Sequence, residues 1–340
     1  MKTSVVILNW NGKHFLEKYL PGVERYSDIP GVEIIVADNA SDDDSITYLQ
    51  VNHPKIRIIK LDKNYGFAEG YNKALEQIES DYYVFLNSDV EVTKGWLLPM
   101  LDLMQQKKDI SACMPKILSA SDHSSFEYAG AAGGFMDKYG YTFCRGRLFH
   151  TVEKDNGQYD SEMEIFWATG ACCMINAKLF HKIGGFDNDF FAHMEEVDLC
   201  WRLKNAGYTI WYTPQSVVYH IGGGMLPQSS PFKTYLNYRN NLLMLYKNLP
   251  YKDRKHILFV RMMLDGLSAV HSLLKGDITV LKAVWNAHRD YRKLRHKHNP
   301  TSDDSTRLLS YPACVYHCSV VYQYFVKGCK TFEKLAPCEK

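Results

Sequence analysis

Five apolar residues, Tyr82-Tyr83-Val84-Phe85-Leu86, stop abruptly at Asn87-Ser88-Asp89. Such a run reads as a buried strand that delivers a carboxylate to the rim of a sheet. In open α/β sheets the ligand crevice lies outside the carboxyl ends of the strands. Asp89 at that rim suggests a metal held against a phosphorylated ligand, because small divalent cations combine one or two carboxylates with substrate phosphates.

The surrounding pattern agrees with a sheet of this kind. Residues 5–8, 32–37, 56–61 and 82–86 read as strands. Helical spacing intervenes, with Phe15, Leu16, Tyr19 and Leu20 on one side of a first helix and residues 68–78 forming another. Ser41-Asp42-Asp43-Asp44 offers an N-cap hydroxyl and acidic first-turn residues for a helix start. Alternating strands and helices imply right-handed crossovers and a largely parallel α/β sheet. Each strand exit carries Asn or Asp: Asn9 and Asn11, Asp38 and Asn39, Asn64 beside Gly66, then Asn87 and Asp89. Turn preference explains any one of these. Four at one rim, each after a buried strand, point to a ligand.

Beyond residue 110 the alternation loosens. Residues 111–118, 164–175 and 215–219 read as further strands, and 120–163 as a Gly- and Tyr-rich excursion near the site. A short helix over 179–185 ends in glycines. Residues 195–205 form an amphipathic helix with Gly207 as its C′ residue. Residues 233–300 hold fourteen Lys and Arg against four Asp, in a chain whose formal net charge is only +2. A basic, aromatic, helical region of this kind suits an anionic membrane surface or another polyanion, or is an ordinary appendage with solvated charges. Residues 311–325 are apolar and aromatic, and either pack on the body or dip into the interface. Nine scattered cysteines without a Cys-x-x-Cys pair suit a reducing, cytoplasmic setting. No signal peptide is expected, and no uninterrupted apolar run approaches the ~18 residues of a span.

Asp89 and His220 are the candidate metal ligands: both follow apolar strands, and Gly222 and the two glycines after it allow a close backbone approach. An imidazole ligand shifts preference from Mg²⁺ toward Mn²⁺. Asp38, acceptor-only when ionised, suits the N3–H of uracil or thymine, or a turn. The segment 64–72 pairs small residues with a helix start, whose N–H groups favour phosphate. Neither a Gly-x-Gly-x-x-Gly nor a Walker sequence is present. In Glu195-Glu196-Val197-Asp198 three carboxylates in four residues repel one another, which raises at least one pKa and poises a base. Asp198 and Arg202 stand at i,i+4, the spacing of an ion pair. His193 reads as a loop residue.

In order, Asn9 and Gly12, Val36-Ala37-Asp38-Asn39-Ala40-Ser41-Asp42, Asn64-Tyr65-Gly66-Phe67, Leu86-Asn87-Ser88-Asp89, Gly184-Gly185-Phe186-Asp187, Glu195-Glu196-Val197-Asp198-Leu199-Cys200-Trp201-Arg202 and His220 resemble a family 2 glycosyltransferase of the rhamnosyltransferase-like branch. The resemblance spans about residues 3–250. It implies a GT-A fold: a mostly parallel nucleotide-binding sheet flanked by helices, with a helical C-terminal extension. Residues 1–110 would be the nucleotide-sugar half, 111–230 the acceptor and catalytic half, and 231–340 the basic helical region, possible membrane contact included. It further implies inverting, metal-dependent (Mn²⁺ or Mg²⁺) transfer from a dTDP- or UDP-linked sugar to a glycan or lipid-linked acceptor in cell-surface polysaccharide synthesis, on the cytoplasmic side of the membrane, with no nucleic acid partner. Asp38 would read the base. Asn64 and Asn72, with Asn9, Asn11, Gly66, Asn87 and Ser88, would line the nucleotide-sugar site. Asp89 and His220 would bind the metal, and Glu195 or Glu196 would be the base. The family usually has Asp at position 196, and Asp where this chain has Asn87. Two rival readings stand beside it. A sugar-1-phosphate nucleotidyltransferase would need a Gly-rich, cationic loop where Asn9-Trp10-Asn11-Gly12 stands. The other is a non-catalytic basic protein that binds membrane surfaces.

Overall fold

The computed structural model describes residues 1–222, 230–298 and 311–335. The second and third glycines after Ile221 lie outside the described residues. The chain opens with β1 (Thr3–Asn9), α1 (Lys13–Tyr26), β2 (Val32–Asp38), α2 (Ser45–Asn52), β3 (Arg57–Lys60), α3 (Gly66–Leu75) and β4 (Tyr82–Asn87). β1 is buried at every residue, as expected of a parallel strand covered on both faces. It pairs in parallel with β2 on one side and β4 on the other, and β2 with β3. The three exits at Asn9, Asp38 and Asn87 therefore share one edge.

The second half is less regular. β5 (Val90–Val92), α4 (Leu97–Gln106) and β6 (Ile110–Ser119) lead into an excursion, which folds as β7 (Gly134–Asp137), β8 (Thr142–Cys144), β9 (Arg147–Leu148) and β10 (Thr151–Val152). β11 (Met163–Ile165), β12 (Cys172–Asn176), α5 (Ala177–Lys182), α6 (Glu195–Asn205) and β13 (Thr209–His220) follow. The main sheet runs β11-β13-β6-β12-β4-β1-β2-β3, with β5 on β13. β12 is antiparallel to both β4 and β6, so the sheet is mixed beyond its parallel N-terminal half. Residues 164–175 make two strands instead of one, broken at Trp167–Ala171. β13 begins at Thr209, well before the expected 215, and is kinked by a register shift between Thr213 and Val217.

α2 starts at Ser45 behind Asp44, so Ser41 is not its cap. The Ser41 hydroxyl instead donates to Asp38 Oδ1 at 2.7 Å. The C-terminal region forms α7 (Pro231–Asn248), α8 (Tyr251–Leu274), α9 (Ile278–Leu294), a short β14 (Val315–Tyr316) and α10 (Val320–Phe325). β14 adds to the excursion's small sheet beside β7. Buried Asp137 there accepts the Val320 N–H at 3.0 Å, so the tail packs on the body. Among the described residues seven cysteines are free thiols, whereas Cys318 is disulfide-bonded, a departure from the all-thiol chain expected.

Candidate active site

A cavity of about 660 Å³ opens at the carboxyl edge of β1 and β4, roofed by α7 and the excursion. Asn64, Gly66, Asn87, Asp89, Glu195, Glu196 and His220 all line it. The meeting of Asp89 and His220 follows from register. Asp89 links β4 to β5, and β5 pairs antiparallel with β13 so that Val90 stands opposite His220. His220 Nε2 lies 3.2 Å from Asp89 Oδ1, and Nδ1 lies 3.5 Å from Glu127 Oε2. Neither contact is a well-formed hydrogen bond, and both buried ring nitrogens lack such a partner among the described residues. Burial pulls the imidazole pKa down, but Asp89 and Glu127 outweigh it and raise it to about 10. Two carboxylates and an unsatisfied imidazole, all buried, form a donor set that fits a divalent cation. Among the described residues a second acidic group, Asp187, Asp189 and His298, lies in another cleft. Lys247 and Lys297 already neutralise its carboxylates.

The donor-side wall is built by side-chain amides. Asn39 accepts from the Tyr65 N–H at 3.0 Å and donates to Asn64 Oδ1 and the Gly66 carbonyl. Asn64 Oδ1 also accepts the Gly66 N–H at 2.8 Å. Gly66 has φ +73°, and a Cβ there would stand 2.6 Å from the Phe191 ring, so only glycine fits.

Asn9, Asn11, Asp38 and Ser88 sit beneath this wall and do not line the cavity. Asp38 is buried and holds three hydrogen bonds, from Asn9 Nδ2 at 3.1 Å and from the Ser41 hydroxyl and N–H. Asn11 (φ 51°) accepts the Asp42 N–H at 2.7 Å. These groups fix the exits of β1 and β2 to one another. Asn72 is farther away: its amide binds the Phe186 backbone and Asn188 Oδ1 in the other cleft.

α6 presents two carboxylates to the cavity. Glu195 Oε2 and Glu196 Oε2 are buried without a hydrogen-bond partner among the described residues. Burial and the neighbouring Glu196 hold Glu195 well above the usual carboxylate range. Burial pushes Glu196 up to about 7 from the ordinary 4.5. Asp198 goes the other way. Burial opposes its ionisation, but Lys247, Arg202 and Asn248 outweigh that and bring it to about 2. Its role is structural, as the i,i+4 spacing implies.

The cavity also holds residues not singled out by pattern. Glu127 is buried at 5% exposure and lies in the excursion, where no periodicity marks it. His193, read as a plain loop residue, lines the cavity with Nε2 buried and unpartnered among the described residues. Burial and Lys233 depress its pKa to about 4, so it is neutral at pH 7. Trp10, Asn39, Phe232, Lys233 and Asn237 also line it.

The sequence profile of glycosyl transferase family 2 matches residues 4–184. N-acetylglucosaminyl-diphospho-decaprenol L-rhamnosyltransferase of Mycobacterium tuberculosis is 25% identical over 230 residues, 64% of this chain and 75% of that protein. Rhamnosyltransferase WbbL of Escherichia coli K12 is 23% identical over 220 residues, 62% of this chain and 80% of its own. Among solved structures, GalNAc-T7 with UDP, GalNAc and Mn²⁺ superposes with a TM-score of 0.58 at 16% identity, over 90% of this chain and 56% of that one. The mannosyltransferase PcManGT from Pyrobaculum calidifontis, with GDP-Man and Mn²⁺, gives 0.52 at 12% identity over 86% and 87%. These structural likenesses speak for the GT-A fold, and the profile match covers more than half of the chain. The protein belongs to glycosyl transferase family 2.

Proposed function

We propose that this cavity transfers a sugar from a nucleoside-diphosphate donor to an acceptor hydroxyl by single displacement with inversion. The observation that carries the reading is the shared cavity of Asp89–His220 and Glu195–Glu196, which stand far apart in sequence. Asp89 and His220, with Glu127 behind the ring, would hold a divalent cation, Mn²⁺ favoured over Mg²⁺ by the imidazole. That cation supplies charge stabilisation for the leaving diphosphate. The α3 N-terminus at Gly66 lines the same space, and its positive dipole end favours a phosphate although its first N–H groups are already held by Asn39, Asn64 and Phe191. Asn64, oriented by Asn39, and Asn87 hold the donor in register. Glu196, ionised near pH 7, accepts the acceptor hydroxyl proton, while Glu195 stays neutral beside it. Asp38 already accepts from Asn9 and Ser41, and would read a uracil or thymine base through the remaining lone pair of Oδ2.

The donor is read as dTDP-rhamnose or a UDP-sugar. The acceptor is read as a glycan or lipid-linked hydroxyl of a cell-surface polysaccharide; the name of the mycobacterial relative supports a lipid-linked acceptor, and both relatives' names support rhamnose. Thermal stabilisation by nucleotide sugars, with and without Mn²⁺, tests this directly, since a ligand of the native state raises its stability by mass action. dTDP- or UDP-sugars that shift Tm more with Mn²⁺ than without support it. No shift with any of them refutes it.

A lipid-linked acceptor requires the enzyme to reach a membrane, and α8 supports that reading. By length and composition α8 is long and apolar enough to cross one. Its inner face nevertheless carries the buried Arg261–Asp265 ion pair at 2.9 Å, and Arg261 also stacks on Tyr141. The stacking on Tyr141 and a hydrogen bond from Arg261 to the Gly140 carbonyl at 3.3 Å tie it to the body. Its outer face exposes Phe259, Met263, Leu267, Val270 and Leu274 in one stripe, with exposed Lys252 and Lys255 at one end and Lys275 at the other. An apolar stripe bounded by cations suits a helix lying in the interface of an anionic bilayer on the cytoplasmic side. The protein should sediment with phosphatidylglycerol vesicles at low salt, and Phe259→Glu/Leu267→Glu should stay in the supernatant. Equal sedimentation of the two proteins, or a dimer that only the variant loses, would overturn it.

A further inference from the structure

The loop that delivers α6 to the cavity is built against backbone preference. Phe191 (φ 62°, ψ −62°) centres a γ-turn of the rare positive-φ kind, closed by Ala192 N–H to the Phe190 carbonyl at 2.7 Å. His193 and Met194 follow at φ 69° and 72°. Non-glycine residues keep such conformations only where their surroundings over-determine them.

Here the surroundings are identifiable. The carbonyls of Asp189 through His193 are all held from outside the loop. Arg239 Nη2 donates to Asp189 O and Phe190 O at 2.8 and 3.0 Å. Phe191 O accepts the N–H groups of Phe67 and Ala68 at the start of α3, at 2.7 and 3.1 Å. Asn240 Nδ2 shares its two protons among Phe190 O, Ala192 O and His193 O at 2.9, 2.9 and 2.7 Å. Its own Oδ1 accepts from Arg239 Nε at 2.8 Å, which fixes the direction of the amide. Asn240 is fully buried on α7, outside the residues matched by the family profile.

We propose that Asn240 is a positioning residue for the base: its amide, gripping three carbonyls of the loop before α6, holds Glu195 and Glu196 in their buried, unpartnered orientation. This rests on the reading of those carboxylates as the source of the base. The same latch joins the donor-side helix to the base through Phe191, so loss of the amide frees the loop on both sides. A misplacement of about 1 Å in a catalytic group lowers turnover roughly 100-fold. Freed carboxylates also gain water, and their pKa falls toward the ordinary value.

Asn241 supplies a matched control. It is equally buried on the same helix and donates to the Gly140 carbonyl at 2.7 Å, away from the base loop. The series is Asn240→Ser, which keeps one donor, Asn240→Ala and Asn241→Ala. Turnover and its pH profile are measured beside hydrogen exchange at the Phe67 and Ala68 amides. Both alanine variants should lose Tm alike. Turnover should fall in the order Asn240, Ser, Ala, by roughly 100-fold at the end, with nucleotide affinity changed far less. The acid limb should move below pH 7 and exchange at Phe67 and Ala68 should speed up, neither of which Asn241→Ala does. Parallel losses of turnover in Asn240→Ala and Asn241→Ala would overturn the proposal. So would full activity with faster exchange, or unchanged exchange in any folded Asn240 variant. Faster exchange in a protein where Glu196→Gln retains turnover would place the failure in the base assignment and leave the latch standing.

Discussion

Glu196→Gln should lower turnover and raise stability at the same time, and the size of both effects follows from burial. The Glu196 pKa is raised to about 7 from 4.5. If this carboxylate is the base, kcat rises with pH through an acid limb near 7, falling about tenfold per unit below it. Removing a general base lowers kcat by about 10²–10⁴, and Glu196→Gln should show that loss and no acid limb. The sign of the stability effect is fixed by linkage. The folded state binds the proton more tightly than the unfolded chain, so the contribution is fully present below pH 4.5 and is lost as pH rises through 7. Above pH 7 the buried anion costs about 3 kcal/mol, from a rise of roughly 2.5 pKa units at 1.36 kcal/mol each. Urea unfolding of wild type and Glu196→Gln should therefore agree at pH 4.5 and diverge at pH 8 in favour of glutamine. Glu195→Gln, neutral like the native side chain at pH 7, should keep most of its activity. An acid limb near 4.5, or a Glu196→Gln protein no more stable at pH 8, would refute the reasoning.

Asp198→Ala leaves Lys247 and Arg202 facing a buried gap and should destabilise by roughly 3–5 kcal/mol in urea unfolding. In the wild type the lowered Asp198 pKa makes its contribution present above about pH 4 and lost as pH falls toward 2. Gly66→Ala places Cβ 2.6–2.7 Å from the Phe191 ring and carbonyl at φ +73°. The backbone alone should cost about 1–2 kcal/mol, with weakened nucleotide binding by calorimetry; wild-type behaviour in both would show that the loop yields freely. Glu127→Gln weakens the carboxylate behind the His220 ring and should lower Mn²⁺ affinity about 10–100-fold in a spin-resonance titration, and an unchanged affinity would remove Glu127 from that role.

The parallel half of the fold was legible because its signals are local. The apolar runs of β1, β2 and β4 and their polar exits fixed both the sheet and the positions of Asn64, Asn87 and Asp89. The second half depends on long-range register. Pro214-Gln215-Ser216 interrupts the apolar pattern of β13 and hides its first residues, although the strand continues through the kink. β7 to β10 are two to four residues long, too short for a period-2 pattern to emerge. Glu127 was invisible for the same reason. Asp38 and Asn72 were read correctly as polar groups after a strand and on a helix. Nothing in their spacing reveals that Asn9, Ser41 and the Phe186 backbone already occupy them.

The acidic turn of α6 shows where sequence reasoning ends. Glu195, Glu196 and Asp198 form one pattern, and the helix dipole favours all three equally. The structure splits them: Asp198 is driven well below its ordinary pKa and the two glutamates well above theirs. The i,i+4 spacing to Arg202 sets Asp198 apart as an ion-pair partner, but nothing within the turn shows how far the proton affinities diverge. The difference is that α7 aims Lys247 and Asn248 at Asp198, whereas burial, and for Glu195 the neighbouring carboxylate, raises the glutamates. One helix thus ionises the structural carboxylate and leaves a proton to be shared by the other pair. The basic C-terminal region, which composition marked as a surface for anions or a solvated appendage, also supplies the counter-charge that keeps the structural carboxylate of α6 ionised.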